Sequence, residues 1–116
     1  MHDSTVVQLI DQLQSTYPGL QLLVKTSGDT LDLDVLVVPA SQRRQGIGRS
    51  VMEAIAGYAD LNELMIKLQP DDVFGTPKNQ LILFYQKFGF RVVYTKTDNG
   101  MVIDSMLREP VKLSRI

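Results

Sequence analysis

The 116-residue chain has no cysteine and a single histidine, His2. Without thiols there is no disulfide framework, no thiolate zinc site and no cysteine nucleophile. One imidazole excludes a histidine triad and a histidine metal site, and His2, next to the initiator, reads as a frayed terminal residue. Long apolar runs are missing too: none approaches the roughly 18 residues of a membrane-spanning helix, and MHDSTVV lacks the basic and apolar segments of a secretory leader. The expectation is a cytoplasmic protein with no metal and no membrane partner. Nor is there an excess of one charge. With 12 basic and 13 acidic residues, a net charge of −1 gives no bulk attraction to nucleic acid or to a lipid surface. What remains, 44% hydrophobic and 22% charged residues, is the balance of a globular domain. A chain of this length fits one domain, residues 1–116, burying about two-thirds of its unfolded surface.

Apolar residues recur at helical spacing at Val6, Leu9, Ile10, Leu13 and Tyr17, with Asp3 and Ser4 as capping candidates and Pro18-Gly19 as the stop. LQLLVKT (20–26) and TLDLDVLVV (30–38) flank Ser27-Gly28-Asp29 and predict a hairpin. A second helix is expected from Gly48, with Val51, Met52, Ile55 and Ala59 on its inner face, then a strand over 63–68 and the loop QPDDVFGTP. Thr76-Pro77 marks a third helix as cap and first-turn proline. That helix carries Leu81, Phe84, Tyr85 and Phe88 on one face and stops at Gly89. Strands over 90–96 and 101–107 flank Asp98-Asn99-Gly100, a second hairpin signal, and a polar tail follows. Strand-helix-strand units make parallel pairs and hairpins add antiparallel ones, so the order implies an α/β chain with one mixed sheet flanked by helices.

The stretch QRRQGIGRS (42–50) follows the apolar run VLVVP and leads into the second helix. A basic, glycine-containing turn at a helix start suits an anion. First-turn amides lack internal acceptors, the helix dipole is positive there, and glycine lets a ligand approach the backbone. Arg43, Arg44 and Arg49 add charge-assisted contacts. The local charge on an otherwise slightly acidic chain favours a small anionic ligand over a polyanion. The turn is not a P-loop, since no lysine follows the glycines. A dinucleotide fingerprint is also excluded, because Val51 stands where it needs a third glycine. From these residues alone, a surface turn with solvated arginines is an equal alternative.

VVPASQRRQGIGRSVM resembles the acyl-CoA diphosphate motif R-x-x-G-x-G of the GCN5-related N-acetyltransferase (GNAT) family, here Arg43, Gly46 and Gly48. LILFYQKFGF (81–90) is similar to the family's second motif, a helix ending in LYxKxGF. The two occur in the family's order with one strand between them, and the resemblance covers Leu31 to about Leu107. It implies the acyl-CoA N-acyltransferase fold, in which two neighbouring parallel strands splay apart around the pantetheine arm. The arm would bond backbone groups of Leu36, Val37 and Val38, with the diphosphate on the turn Arg43, Arg44, Gln45, Gly46, Ile47, Gly48 and Arg49. It further implies acetyl-CoA as cosubstrate, a primary amine as acceptor and direct transfer without a metal.

Tyr85 occupies the position of the family's usual acid for the departing thiolate; its place on the apolar face makes core packing the alternative. A backbone amide near Val38 would stabilise the oxyanion. Asp32 or Asp34 is the candidate base, the alternative being two solvated aspartates near a hairpin; strict alternation would place both on the face of Leu36 and Val38. The family's asparagine seven residues before the tyrosine would fall at Lys78, so its role is not carried over. Relatives usually have another strand and two helices ahead of the core where this chain has one helix, which leaves the acceptor undetermined. The less covered sheet edge suggests a homodimer. A non-catalytic CoA-binding or interaction module on the same fold is the competing functional reading.

Overall fold

The computed structural model describes residues 2–43, 45–71 and 75–112, apart from the side chains of residues 2–5 and 95. The elements run α1 (His2–Thr16), β1 (Gln21–Ser27), β2 (Thr30–Val37), a 3-10 turn (Ala40–Gln42), α2 (Ile47–Leu61), β3 (Met65–Leu68), α3 (Lys78–Gln86), β4 (Arg91–Lys96) and β5 (Val102–Arg108). The helices and strands follow the expected order. α1 already includes Asp3 and Ser4, so neither caps it, and His2 is its first described residue. At α3 it is Pro77 that stands at the N-cap, with no side-chain capping bond from Thr76.

The five strands form one mixed sheet in the order β1-β2-β3-β5-β4, with β2 and β3 parallel and the other pairs antiparallel. Both hairpins turn on a glycine in the left-handed region, Gly28 at φ 61° and Gly100 at φ 85°, a conformation that costs glycine nothing. Cross-strand partners share a face. Val24 lies opposite Leu33, Leu31 opposite Ile66 and Leu68 opposite Met106, and all six are buried. The connections β2-α2-β3 and β3-α3-β4 step across the sheet in the same direction, so right-handed crossovers put α2 and α3 on one face. Val51, Met52, Ile55 and Ala59 of α2, Tyr85 of α3, and Val6 and Leu13 of α1 join these strand residues in one core. Each fully buried Leu, Ile or Met contributes about 1.5–3 kcal/mol by leaving water. The other face carries the register partners Lys25, Asp32 and Lys67, with both lysines exposed.

One irregularity decides where the site residues point. Between Leu23 and Val24 the β1-β2 register shifts, with Leu23 opposite Val35 and Val24 opposite Leu33, which leaves Asp34 as an extra residue on β2. A bulge of this kind breaks the two-residue alternation. Leu36 consequently pairs with buried Leu22 on the core face, while Asp32 pairs with Lys25 on the other. Asp32 and Asp34 therefore keep the common face expected from strict alternation, the one that carries Lys25, but Leu36 does not join them.

Two helix ends show how sequence sets local geometry. α3 closes with the Phe90 amide donating to the Tyr85 carbonyl and the Gly89 amide to the Gln86 carbonyl, with Gly89 at φ 92°, the paired bonds of a left-handed C-terminal cap. α2 closes the same way, Leu64 donating to Ala59 and Glu63 to Asp60, but here Glu63 takes the positive φ of 55°. Behind both ends lies Arg108, 6% exposed. Its guanidinium donates twice to the Asp60 carboxylate, at 2.8 and 3.0 Å, and its Nε donates to the Phe88 carbonyl. Asp60 also accepts from the Val111 amide. The Arg108 bonds outweigh burial and hold the Asp60 carboxyl below its ordinary value. One side chain of β5 thus ties the C-terminal ends of α2 and α3, the two helices that border the site.

Candidate functional site

β2 and β3 are paired only over Thr30–Asp32 and Met65–Lys67. Beyond that point β2 continues to Val37 alongside β1, while Leu68 of β3 pairs with Met106 of β5. The parallel strands diverge, and a cavity of about 360 Å³ opens between them, within the size range of small-molecule sites. Its walls include Leu33 to Val38 along β2, Leu68 and Gln69 on the opposite lip, and Leu81, Phe84 and Tyr85 of α3. Polar backbone groups of β2 that would otherwise bond a neighbouring strand face this gap.

At one end of the cavity lie Gln42, Arg43, Gly46, Ile47, Gly48 and Arg49. Gly46 is the N-cap of α2, at φ 77° and with no side-chain capping bond, so the first-turn amides are left to an external acceptor. A Cβ on Gly48 would stand 3.5 Å from the Phe84 ring and 3.9 Å from Val38; the start of α2, the body of α3 and the end of β2 converge there. The Arg43 Nε donates to the Val38 carbonyl at 3.1 Å. Arg49 pairs with Glu53 at 3.0 Å on an exposed helix face, a contact of small energetic weight. Gln45 is exposed and does not line the cavity. Arg44 lies outside the described residues.

The candidate acid and base line the same cavity. Tyr85 is 8% exposed, its ring edge-on to Phe84 and Phe90 with centroids 5.2 and 5.5 Å away. Burial pushes its hydroxyl up to about 12. No polar side-chain atom among the described residues is both buried and unpartnered, and Tyr85 is one of the residues lining the cavity. The packing and acid roles of Tyr85 are compatible: the residue belongs to the core cluster and also lines the cavity. Asp34, the bulge residue, lines the cavity; Asp32, two residues back in the paired segment, does not. The Lys25 ammonium lies 3.4 Å from the Asp34 carboxylate. Sequence reasoning missed Leu68, Gln69 and Asp71 on the far lip, because nothing in a four-residue strand and its loop marks where a partner strand will part from it. It read Leu81 and Phe84 only as an apolar helix face.

No group of histidine or acidic residues able to hold a metal ion occurs among the described residues. No helix among them is long and apolar enough to cross a membrane.

A family model for the acetyltransferase (GNAT) domain matches residues 9–92. No curated protein sequence matches the chain. Solved structures share the fold at low identity. Ard1 from Thermoplasma volcanium is 18% identical, with a TM-score of 0.60 over 90% of this chain and 80% of that one. The ribosomal-protein-S18-alanine N-acetyltransferase from Escherichia coli is 19% identical, with a TM-score of 0.60 over 81% of this chain and 62% of that one. A Bacillus subtilis acetyltransferase in complex with CoA is 21% identical, with a TM-score of 0.53 over 79% and 68%. The chain thus spans less than two-thirds of the E. coli enzyme's length.

Proposed function

The chain belongs to the GNAT acetyltransferase family, and from that membership and the geometry of its cavity we propose that it transfers the acetyl group of acetyl-CoA to a primary amine. The observation that carries this reading is the parting of β2 from β3 after Asp32 and Lys67, with a cavity that runs from an uncapped, glycine-started helix to Tyr85. The CoA bound to the Bacillus relative supports the same ligand here.

In this reading the diphosphate sits on the amides from Gln45 to Arg49 at the start of α2, where dipole and arginine charge act together. The pantetheine arm bonds the free backbone groups of Leu36, Val37 and Val38 as an added strand. Arg43 then gives up the Val38 carbonyl and turns its guanidinium to a phosphate oxygen. With the thioester beside Tyr85, a backbone amide near Val38 donates to the developing oxyanion. The amine must be neutral to attack. Asp34 is placed to take its proton directly or through water, and Asp32 acts only through the strand or at longer range. Carbon-nitrogen bond formation expels the thiolate, which receives the Tyr85 proton. A hydroxyl near 12 stays protonated at every physiological pH, so the donor is always loaded. Its weak intrinsic acidity makes placement, not pKa, its contribution.

Acetyl-CoA at 100 times its dissociation constant should stabilise the fold by about 2.7 kcal/mol and raise the thermal midpoint accordingly. Gly46→Glu puts a negative side chain against the diphosphate and should abolish that rise. An unchanged midpoint in the native protein at millimolar acetyl-CoA contradicts the site. Strands β1 and β4 are the sheet edges; their open backbone groups support a homodimer, against which light scattering reading a monomer across the micromolar range would count.

A further inference from the structure

We propose that Lys25 is itself an acceptor, so that the protein acetylates its own Lys25 from acetyl-CoA; this rests on the acetyl-transfer reading of the cavity. The amine acceptor of such a site must bring its nitrogen to the residue that removes the proton. Lys25 already does so: its Nζ is 3.4 Å from Asp34 Oδ2, and Asp34 lines the cavity together with Leu36, Val38 and Tyr85. Lys25 is the register partner of Asp32 across the hairpin, and Asp34, two residues further along β2, stays on that face, so the ammonium reaches its carboxylate diagonally. The Lys25 side chain is 67% exposed. Lys25 does not itself line the cavity, so in the transfer its exposed stem carries the amine past Asp34 to the thioester.

The other described lysines of known pairing or register lack this placement. Lys78 is bound to Asp104 at 2.7 Å, and Lys67 lies one strand beyond Asp32, on β3. Lys96 is at the far end of the β4-β5 hairpin.

In the transfer one ammonium proton of Lys25 passes to Asp34, and the neutral nitrogen attacks the thioester carbonyl. The carbon-nitrogen bond forms, a second nitrogen proton leaves through water, and the carbon-sulfur bond breaks. The thiolate takes the Tyr85 proton, which solvent replaces. The products are the Lys25 amide, CoA as thiol and one net proton. Acetylation also removes the cation that neutralises Asp34, so the modified protein presents an uncompensated carboxylate to the next cationic acceptor.

The test is to incubate the full chain with acetyl-CoA and no other amine, and to follow each lysine by peptide mass spectrometry. Lys25 should be acetylated faster than Lys67 or Lys96 by about 10²-fold or more, the usual contribution of a positioned base. The rate should be first order in protein on dilution, and it should fall in Asp34→Asn and in Gly46→Glu. Acetylation of Lys25 no faster than of Lys67 and Lys96, or equally fast in both variants, overturns the proposal by showing chemical modification only. A protein whose midpoint rises with acetyl-CoA but whose Lys25 stays unmodified overturns this inference and leaves the binding site standing. If the midpoint does not move either, both fail.

Discussion

Replacing Tyr85 with phenylalanine removes one oxygen and leaves the ring contacts with Phe84 and Phe90 in place, so its effects on fold and chemistry separate. If the hydroxyl protonates the leaving thiolate, turnover should fall about 10²- to 10⁴-fold with acetyl-CoA affinity unchanged. The structure also gives a stability signature that does not depend on finding an acceptor. The hydroxyl ionises at about 12 in the fold against 10.0 for an ordinary tyrosine, because burial disfavours phenolate. A pKa raised by folding contributes stability that is complete below the unfolded value and is lost as pH rises through the folded one. The native protein should therefore lose about 1.4 kcal/mol from this group by pH 11 and approach a loss of about 2.7 kcal/mol above pH 12. Tyr85→Phe should lack that component. Urea unfolding at pH 9 and pH 11, followed by circular dichroism, reads the difference between the two proteins, and the remaining tyrosines cancel. Equal alkaline losses in the two proteins would refute the burial of the hydroxyl, and undiminished turnover would refute its role as the acid.

Arg108→Met should destabilise the fold by about 3–5 kcal/mol, because it strands the partly buried Asp60 carboxylate and the Phe88 carbonyl; a drop in thermal midpoint under about 4 °C would contradict this. The same pair fixes the acid response. The Asp60 pKa is lowered in the fold, so its contribution is present above the unfolded value and is lost as pH falls through the folded one; Arg108→Met should show a shallower loss of stability on acidification. Glu63→Gly should stabilise by about 0.5–1 kcal/mol, since it relieves a left-handed residue at the end of α2, and a destabilised variant would show that the Glu63 side chain matters more than its backbone. Asp34→Asn should lower turnover most at low pH and recover partly as pH rises, whereas Asp32→Asn should have the smaller effect; the reverse order would transfer the base to Asp32.

Much of this was legible in the sequence because it rests on local signals. Helical spacing in α2 and α3, the hairpin glycines Gly28 and Gly100 and the stop at Gly89 each act within a few residues, and all take the expected form. The turn around Gly46 and Gly48 was legible for the same reason. The bulge at Asp34 was not, since it depends on how β1 and β2 register against each other. That one extra residue moves Leu36 to the core face, away from the face that Asp32 and Asp34 share with Lys25. The Asp60–Arg108 link joins residues 48 positions apart, which no local pattern could pair. Glu63 at positive φ was invisible because side chains there usually mark the position with glycine or asparagine. The lip formed by Leu68, Gln69 and Asp71 exists only once β3 has left β2.

Acetyl transfer is read most directly from the release of free CoA thiol from acetyl-CoA. It should be followed with purified protein and a panel of amines: a diamine, an amino sugar, a lysine-containing peptide and a peptide with a free N-terminus. Release should require one of these classes, saturate with acetyl-CoA, disappear in Gly46→Glu and fall at least about 10²-fold in Tyr85→Phe. A protein that binds acetyl-CoA but releases no thiol above the uncatalysed rate with any amine, and none from its own lysines, would contradict it and leave a CoA-binding module on an acetyltransferase fold.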